Sequence, residues 1–194
     1  MTDVMIDIET LGKGNDALIL SIGAVEFNLR AGVLGSEFTQ RIDVASSQGH
    51  GAKLDASTVV WWMQQSDTAR KAIGNGRGMM LAEAMDSLSR YLYMVAPFSD
   101  MKLLNVWGNG STFDISILED SYKLVGEVEP WTFRNVRDMR TMVDLMGRFG
   151  ISYGKGPVAH TALADARAQA NHLIHLHDMM IVGLRGAIDD KVGA

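Results

Sequence analysis

The sequence contains no cysteine, which excludes disulfide bonds and thiolate metal sites. Any bound metal must therefore take oxygen or imidazole ligands. Aromatic residues are modest at 7%, whereas glycine is plentiful at 20 residues, a composition typical of a globular protein. The absence of cysteine also fits a reducing compartment, so we expect a cytoplasmic location.

Long apolar runs are missing as well. The longest, such as residues 179–184, fall far short of the ~20 residues needed to cross a bilayer. The first residues also lack the basic start and the apolar stretch of a secretion signal. We therefore expect a soluble protein that has no membrane partner.

Basic residues do not outnumber acidic ones, since 18 Lys and Arg stand against 23 Asp and Glu and give a net charge of −5. This balance argues against non-specific coating of duplex nucleic acid, whose affinity comes largely from Lys and Arg contacts to phosphates. Nucleic acid stays open as a substrate, because clustered carboxylates loaded with divalent cations present positive charge to a phosphate.

Apolar residues make up 47% of the 194 residues, enough for a substantial core, and we expect a single domain over residues 1–194. Alternation of apolar and polar residues predicts strands at 3–9, 18–27 and 33–42, which are close enough in sequence to form an antiparallel three-strand meander. A short apolar strand at 103–107 followed by a helix begins a parallel crossover. The predicted fold class is α/β: a mixed sheet, antiparallel meander first and parallel strands after, with flanking helices.

Helical spacing predicts one helix that starts after Asp55 or Ser57, and further helices at 79–95, 113–125, 139–148 and 161–182. The apolar stripe of 79–95 is compatible with the core or with a subunit interface. Residues 43–54 are polar and glycine-bearing and carry no signal of a regular element, whereas 131–138 is predicted as a last strand.

Two acidic residues interrupt the first predicted strand. Asp7 and Glu9 are two positions apart, so both carboxylates project from one face, while Ile6 and Ile8 face the other way. The carboxylates would repel each other and resist burial unless a cation joins them, and Mg²⁺ or Mn²⁺ suits ligands that are all oxygen. Taken alone, such a pair is more often a solvated strand end.

Two further acidic residues and a histidine lie at positions where ligand-binding sites commonly form. Asp114 follows the strand at 103–107, at a strand-to-helix junction where ligand sites gather, although a helix cap alone would explain it. Asp165 opens the last predicted helix and His160 lies in the glycine-rich loop before it, so both can point back at the sheet, one as ligand and one as base. A lone histidine in such a loop is usually only solvated.

Taken together, three separated motifs favour a functional role for these residues over the structural explanations. They are Asp7-Ile8-Glu9-Thr10, the segment from Asn109 to Phe113-Asp114, and the segment from His160 through Asp165 to Ala166. In order, spacing and predicted placement they resemble the D-x-E-T, N-x-x-x-F-D and H-x-A-x-x-D-A motifs of the DEDDh branch of 3′-to-5′ exonucleases, in the ribonuclease H-like superfamily. The segment 58–66, with Trp61 and Trp62 in tandem, further resembles a bacterial and phage subgroup.

The resemblance implies a ribonuclease H-like sheet that carries two divalent cations, Mg²⁺ or Mn²⁺, about 4 Å apart. By position, Asp7 would bridge both ions, Glu9 and Asp165 would hold the ion on the side of the attacking water, and Asp114 would support the other. His160 would take the proton of that water as general base. The implied reaction is hydrolysis of single-stranded DNA or RNA from its 3′ end to nucleoside 5′-monophosphates.

By the same resemblance, Thr10, Leu11 and Phe113 would bind the terminal nucleotide, Leu11 through an apolar wedge and its backbone amide and Phe113 by stacking on a base. Trp61 or Trp62 could stack in the same way, with core packing as an equal explanation for these aromatic residues. Several members of the family are homodimers, so a homodimer is compatible with this chain. For a phage-encoded member, the cytoplasm would be that of the host.

Three alternatives stay open from the sequence. One is a catalytically silent module that binds nucleic acid or another partner on the same fold. Another keeps the fold but hydrolyses free nucleotides or acts as an endonuclease. The third is a second metal site at His172, His175 and His177 on the last helix, although a polar helix face explains these histidines better when no acidic residue converges on them.

Overall fold

The computed structural model describes residues 2–74, 78–152 and 161–192. At its centre is a five-stranded sheet in the order β3-β2-β1-β4-β5. The strands are β1 (Thr2–Thr10), β2 (Ile19–Asn28), β3 (Val33–Arg41), β4 (Leu104–Gly108) and β5 (Val136–Asp138). The first three strands pair antiparallel, whereas β4 pairs parallel with β1 and β5 parallel with β4. The predicted meander followed by parallel strands is confirmed.

Seven α-helices flank the sheet in the described ranges. They are α1 (Val44–Gly49), α2 (Ala56–Met63), α3 (Asp67–Gly74), α4 (Leu81–Val95), α5 (Ser111–Leu124), α6 (Met139–Arg148) and α7 (Ala162–Val192). Asp43, Asp55 and Asp138 cap α1, α2 and α6, since each carboxylate accepts a hydrogen bond from a backbone N–H of the first turn. In these ranges, no helix is both long enough and apolar enough to cross a membrane.

Both faces of the sheet are covered by helices. On one face, Val4, Ile6 and Ile8 of β1 belong to the larger apolar cluster, together with residues of α4 and α5. On the other face, Met5 and Trp107 belong to a second cluster with residues of α6 and α7. The apolar stripe of α4 lies in the first cluster, so the structure assigns this stripe to the core.

The helix α1 was not predicted, and two predicted boundaries differ by several residues from the structure. Residues 44–49 form α1 without an apolar period, because tertiary contacts hold it: the Ser46 hydroxyl accepts a hydrogen bond from the N–H of Leu81 at 2.9 Å. The last strand covers only Val136–Asp138, since Phe133–Asn135 forms a 3₁₀ turn. α7 continues beyond residue 182 to Val192, and no proline occurs along it to stop the helix.

Candidate active site

Asp7 and Glu9 lie near the end of β1, on the face that Met5 also occupies by alternation. In the antiparallel register with β2, Asp7 is opposite Gly23 and Glu9 is opposite Ser21. The register shifts between Glu9 and the next residue, so the strand is irregular immediately after its second acidic residue. Irregularities of this kind redirect side chains beside active sites.

Asp114 reaches the same region from the first turn of α5. Pairing between β1 and β4 ends at Met5 opposite Trp107, and α5 begins shortly after β4. The backbone of Ile8, which lies between the two acidic residues of β1, is close enough to the Asp114 carboxylate to lower its pKa. The predicted strand-to-helix junction is confirmed, and it lies at the carboxyl end of a parallel strand, where ligand sites form in open α/β sheets.

Asp165 lies in the first turn of α7, which covers the face of the sheet opposite to α5. The helix lies directly over Gly23 of β2, where any side chain would collide with the helix backbone. As a result, carboxylate oxygens of Asp7, Glu9 and Asp165 lie within 4.8 Å of one another. Three of the four predicted acidic residues share this cluster, and Asp114 borders it.

Burial raises the pKa values of Asp7, Glu9 and Asp114, and neighbouring carboxylates add to the effect for Asp7 and Glu9. Burial raises the pKa of Glu9 to about 7, and the charges of Asp165 and Asp114 add to the effect. Burial also raises the pKa of Asp114 to about 7, against the opposite influence of backbone N–H donors and of Arg140. The pKa of Asp7 is raised well above its ordinary value, first by burial and then by the charge of Asp114. Glu9 and Asp114 are therefore partly protonated near neutral pH when no cation is bound.

The acidic cluster has the donors that a divalent cation requires. Asp7, Glu9 and Asp165 each offer a carboxylate oxygen, and Mg²⁺ and Mn²⁺ prefer oxygen ligands. A bound cation would also offset the repulsion among these carboxylates by attraction, and its charge would oppose the rise in the pKa values of Asp7 and Glu9 that burial causes. The donor set and the electrostatics of the cluster therefore both fit a metal.

Three of the four histidines considered in the sequence, His172, His175 and His177, lie on α7. His160, the predicted general base, lies outside the described residues, which resume at Thr161. In the part of α7 whose side chains are described, the three histidines form no second group with the spacing of a metal site. His177 Nδ1 instead lies 3.5 Å from the carboxylate of Asp178, its neighbour on the helix.

A cleft of about 400 Å³ opens beside Glu9. Pockets of about 300–1,000 Å³ are typical for small ligands, so the cleft has room for a nucleotide. The residues that line it are Ile8, Glu9, Thr10, Gly12, Lys13, Ser57, Thr58, Trp61, Trp62 and Phe113. Trp61 is 44% exposed and Phe113 is 37% exposed, so both rings present surface to a ligand.

Two of the three predicted substrate-binding residues, Thr10 and Phe113, lie in the wall of this cleft. The Thr10 hydroxyl donates a hydrogen bond to the carbonyl oxygen of Gly12 at 2.7 Å. Leu11 packs against a buried apolar cluster that includes Leu18, and its N–H donates to the carbonyl oxygen of Leu18 at 2.8 Å. Because that amide is engaged, any contact of Leu11 with a substrate would come from its side chain.

The tandem tryptophans have different environments. Trp62 is only 4% exposed, and its indole N–H donates a hydrogen bond to the carbonyl oxygen of Thr10 at 2.9 Å. This bond ties α2 to the end of β1, next to Glu9. Trp61 keeps nearly half of its surface open in the cleft. Trp62 therefore anchors α2, whereas Trp61 is a partly exposed residue of the cleft wall.

Two polar residues of the site were not predicted. Gln169 of α7 donates a hydrogen bond from Nε2 to Oδ1 of Asp7 at 2.7 Å. Lys13 lies in the cleft wall, where Nζ donates to the Ser57 hydroxyl at 3.1 Å. Gln169 follows Asp165 by four positions, a helical spacing that would have placed both on one face. Lys13 lies in an irregular turn, where no period connects it to the acidic residues.

Comparison with known proteins shows the family to which this chain is similar. The family described as the 3′-5′ exoribonuclease Rv2179c-like domain matches residues 2–176. The chain is also similar to an exodeoxyribonuclease of Enterobacteria phage T4, with 29% identity over 167 residues, which cover 75% of this chain and 72% of the phage protein.

Solved structures show the same fold. E. coli exonuclease I in complex with a dT13 oligonucleotide matches 87% of this chain with a TM-score of 0.60 and 15% identity, and this chain spans only 39% of that protein. The nuclease domain of 3′hExo, a DEDDh family member bound to rAMP, matches with a TM-score of 0.53 and 14% identity over 90% of each chain. Because the family match spans all three motifs, the chain belongs to the Rv2179c-like 3′-5′ exoribonuclease domain family, within the DEDDh 3′-5′ exonucleases.

Proposed function

We propose that this protein, acting as one domain, hydrolyses single-stranded nucleic acid from its 3′ end and releases nucleoside 5′-monophosphates. The observation that carries the proposal is the cluster of Asp7, Glu9 and Asp165 carboxylates within 4.8 Å of one another, beside a cleft with room for a nucleotide. Membership of an exonuclease family supports the same reaction.

The proposed cofactors are two divalent cations, Mg²⁺ or Mn²⁺, held by Asp7, Glu9, Asp114 and Asp165. When bound, such cations offset the negative charge of the phosphodiester and of the oxygen atoms that attack and leave it. The protein is suited to that charge, because it holds one buried carboxylate, Asp114, beside three partly buried ones, at a cost that a cation reduces. The raised pKa values of Glu9 and Asp114 are the sign of this cost.

Side chains of the chain itself would do the remaining work. His160, five residues before Asp165, would accept the proton of the attacking water on an imidazole nitrogen. An imidazole whose pKa is near the ordinary value of about 6.5 suits that role near neutral pH. The rings of Trp61 and Phe113 would stack on bases at the 3′ end, since aromatic faces accept any base. Lys13, in the same wall, would attract the phosphate backbone.

The names of the matching family and of the phage relative differ in the nucleic acid that they mention, RNA or DNA. The matching family is described as an exoribonuclease domain, whereas the phage relative is an exodeoxyribonuclease. We therefore propose single-stranded nucleic acid as the substrate class, without restriction to DNA or to RNA. A preference for one sugar would require a contact with the 2′-hydroxyl group.

The test uses 5′-labelled DNA and RNA oligomers of matched sequence, with Mn²⁺ or Mg²⁺. Digestion from the 3′ end gives a ladder of progressively shorter labelled products, and circular single strands stay intact because they have no end. Asp7→Asn keeps the shape of the side chain but removes its charge, so we expect this variant to lose the activity. Comparing the two oligomers also measures the sugar preference.

The matched control is Asp144→Asn, since Asp144 pairs with Arg148 on the exposed side of α6. This variant should digest the oligomers at the wild-type rate, because exposed pairs contribute at most about 1 kcal/mol to stability. Folded, metal-loaded protein that leaves both oligomers intact would contradict the proposal. Binding of the oligomers without digestion would support the alternative, a catalytically silent module.

A further inference from the structure

One neutral polar side chain touches the acidic cluster. Gln169 lies on α7 four positions after Asp165, so one face of the helix directs both residues toward β1. Its Nε2–H donates to Oδ1 of Asp7 at 2.7 Å and joins residues that are 162 positions apart in the chain. The first turn of α7 therefore supplies a carboxylate, and its second turn supplies a hydrogen-bond donor to another carboxylate.

The chemistry of the donor matters here. A lysine or arginine at this position would form an ion pair with Asp7 and compete with a cation for its charge. An amide fixes the orientation of the carboxylate and leaves its charge in place. Groups that orient metal ligands by hydrogen bonds commonly act in this way.

The second atom of the amide points to the same role. Oε1 of Gln169 is buried and accepts no hydrogen bond from any described residue. A buried polar atom without a partner is unfavourable, and an apolar side chain of the same length would avoid it. The contact with Asp7 is therefore the feature of the described residues that explains an amide at this place.

We propose that Gln169 is a positioning residue: it holds the Asp7 carboxylate in the orientation that binds the divalent cations. The inference rests on the proposed function, because it requires the acidic cluster to be a metal site. Gln169 acts through Asp7 and has no reacting atom of its own.

The test replaces the amide by an apolar group of similar length, in Gln169→Met. Titration calorimetry of metal-free protein with Mn²⁺ should show an affinity about 10–100-fold weaker than that of the wild type, the usual range for loss of a group that orients a metal ligand. With oligomers, kcat at a fixed Mn²⁺ concentration should fall while KM stays close to the wild-type value. Asn171→Leu is the matched control, since it removes an exposed amide from the same helix and should change neither quantity.

A purely structural role makes a different prediction. It lowers the melting temperature of the metal-free protein and leaves the Mn²⁺ affinity unchanged, and that result would overturn the inference. If Gln169→Met does not fold, Gln169→Ala removes the same amide without the bulk of methionine. Wild-type protein that binds Mn²⁺ but digests no oligomer contradicts the proposed function alone, whereas wild-type protein that binds no Mn²⁺ overturns both.

Discussion

Gly23 of β2 and Ala162 of α7 are in such close contact that a Cβ on Gly23 would lie 2.2 Å from the carbonyl carbon of Ala162. Gly23 is opposite Asp7 in the sheet, and Ala162 begins the helix turn that carries Asp165. The contact therefore sets the distance between two acidic residues that are remote in sequence. Only glycine, whose side chain is a hydrogen atom, allows this distance.

Gly23→Ala should push α7 away from the sheet, because the added methyl group meets helix backbone and not a movable side chain. We expect folding to be destabilised by about 1–3 kcal/mol, as for other overpacked cores. Activity of the folded fraction should fall about 10²-fold, since a shift of about 1 Å in the geometry of a site has that effect. Urea denaturation and kcat on an oligomer measure the two effects.

Gly147→Ala is the control for this prediction. A Cβ on Gly147, in the last turn of α6, meets nothing within 4 Å. Because alanine favours a helix over glycine by up to about 1 kcal/mol, stability should be unchanged or higher, with full activity. Equal behaviour of the two variants would show that the contact at Gly23 does not position α7.

The metal-free protein should lose stability as the pH rises from about 4 to about 7. The pKa of Glu9 rises from 4.5 to about 7 on folding, and that of Asp114 from 3.8 to about 7. A group with a raised folded-state pKa stabilises the fold fully below its unfolded-state pKa, and this contribution disappears as the pH rises through the folded-state value. Ion-paired carboxylates such as Glu37 have lowered pKa values, so their contribution changes at more acidic pH.

Thermal denaturation across this pH window, with a chelator or with saturating Mn²⁺, measures the effect. Mn²⁺ should raise the melting temperature most at the upper end of the window, because it binds the charged carboxylates of the native state. Glu9→Gln should flatten the pH dependence of the metal-free protein. A metal-free melting temperature that rises steadily over the same window would contradict the electrostatic account of the cluster.

Trp61 and Trp62 should give opposite results when they are changed. Trp61→Ala removes an exposed ring from the cleft, and stacking contributes about 1–3 kcal/mol per base, so KM for an oligomer should rise about tenfold or more with little change in stability. Trp62→Phe removes the indole donor to Thr10, so stability should fall by about 1–2 kcal/mol. Steady-state kinetics and urea denaturation of both variants test the division. A higher KM from Trp62→Phe than from Trp61→Ala would reverse the assignment.

His160→Ala should lower kcat by about 10²–10⁴-fold, the usual contribution of a general base, and leave the Mn²⁺ affinity as it is in the wild type. At saturating Mn²⁺, which keeps the carboxylates deprotonated, the wild-type rate should fall on the acid side as the imidazole gains a proton, and the variant should lose that limb of the pH profile. Single-turnover kinetics at several pH values would measure both. An unchanged profile in the variant would remove His160 from the role of base.

Local patterns were sufficient for the parts of the fold that depend on one element at a time. The alternation along β1 placed Asp7 and Glu9 on one face, and helical spacing placed Asp165 in the first turn of α7. The bond from Gln169 to Asp7 could not be predicted in the same way, because it depends on how α7 docks on the sheet. The importance of Gly23 could not be predicted from the sequence either, because only its contact with Ala162 shows why no side chain fits there.

Adjacent residues can also differ in a way that composition does not predict. Trp61 and Trp62 are chemically identical, and about 100° of helix rotation separates an exposed ring from a buried one. Which of them faces the core depends on the docking of α2 against the end of β1. A pattern within α2 cannot supply that information, because both residues are apolar.

β1 is the middle strand of the sheet, with a hydrogen-bonded neighbour on each side along its first half. Edge strands open first when a protein fluctuates, whereas central strands exchange their amide hydrogens mainly through global unfolding. The amides around Met5 and Ile6 should consequently be among the slowest to exchange with deuterium. Partial opening at β3 or β5 would leave Asp7 and Glu9 in place, so these two carboxylates should keep their positions until the protein unfolds as a whole.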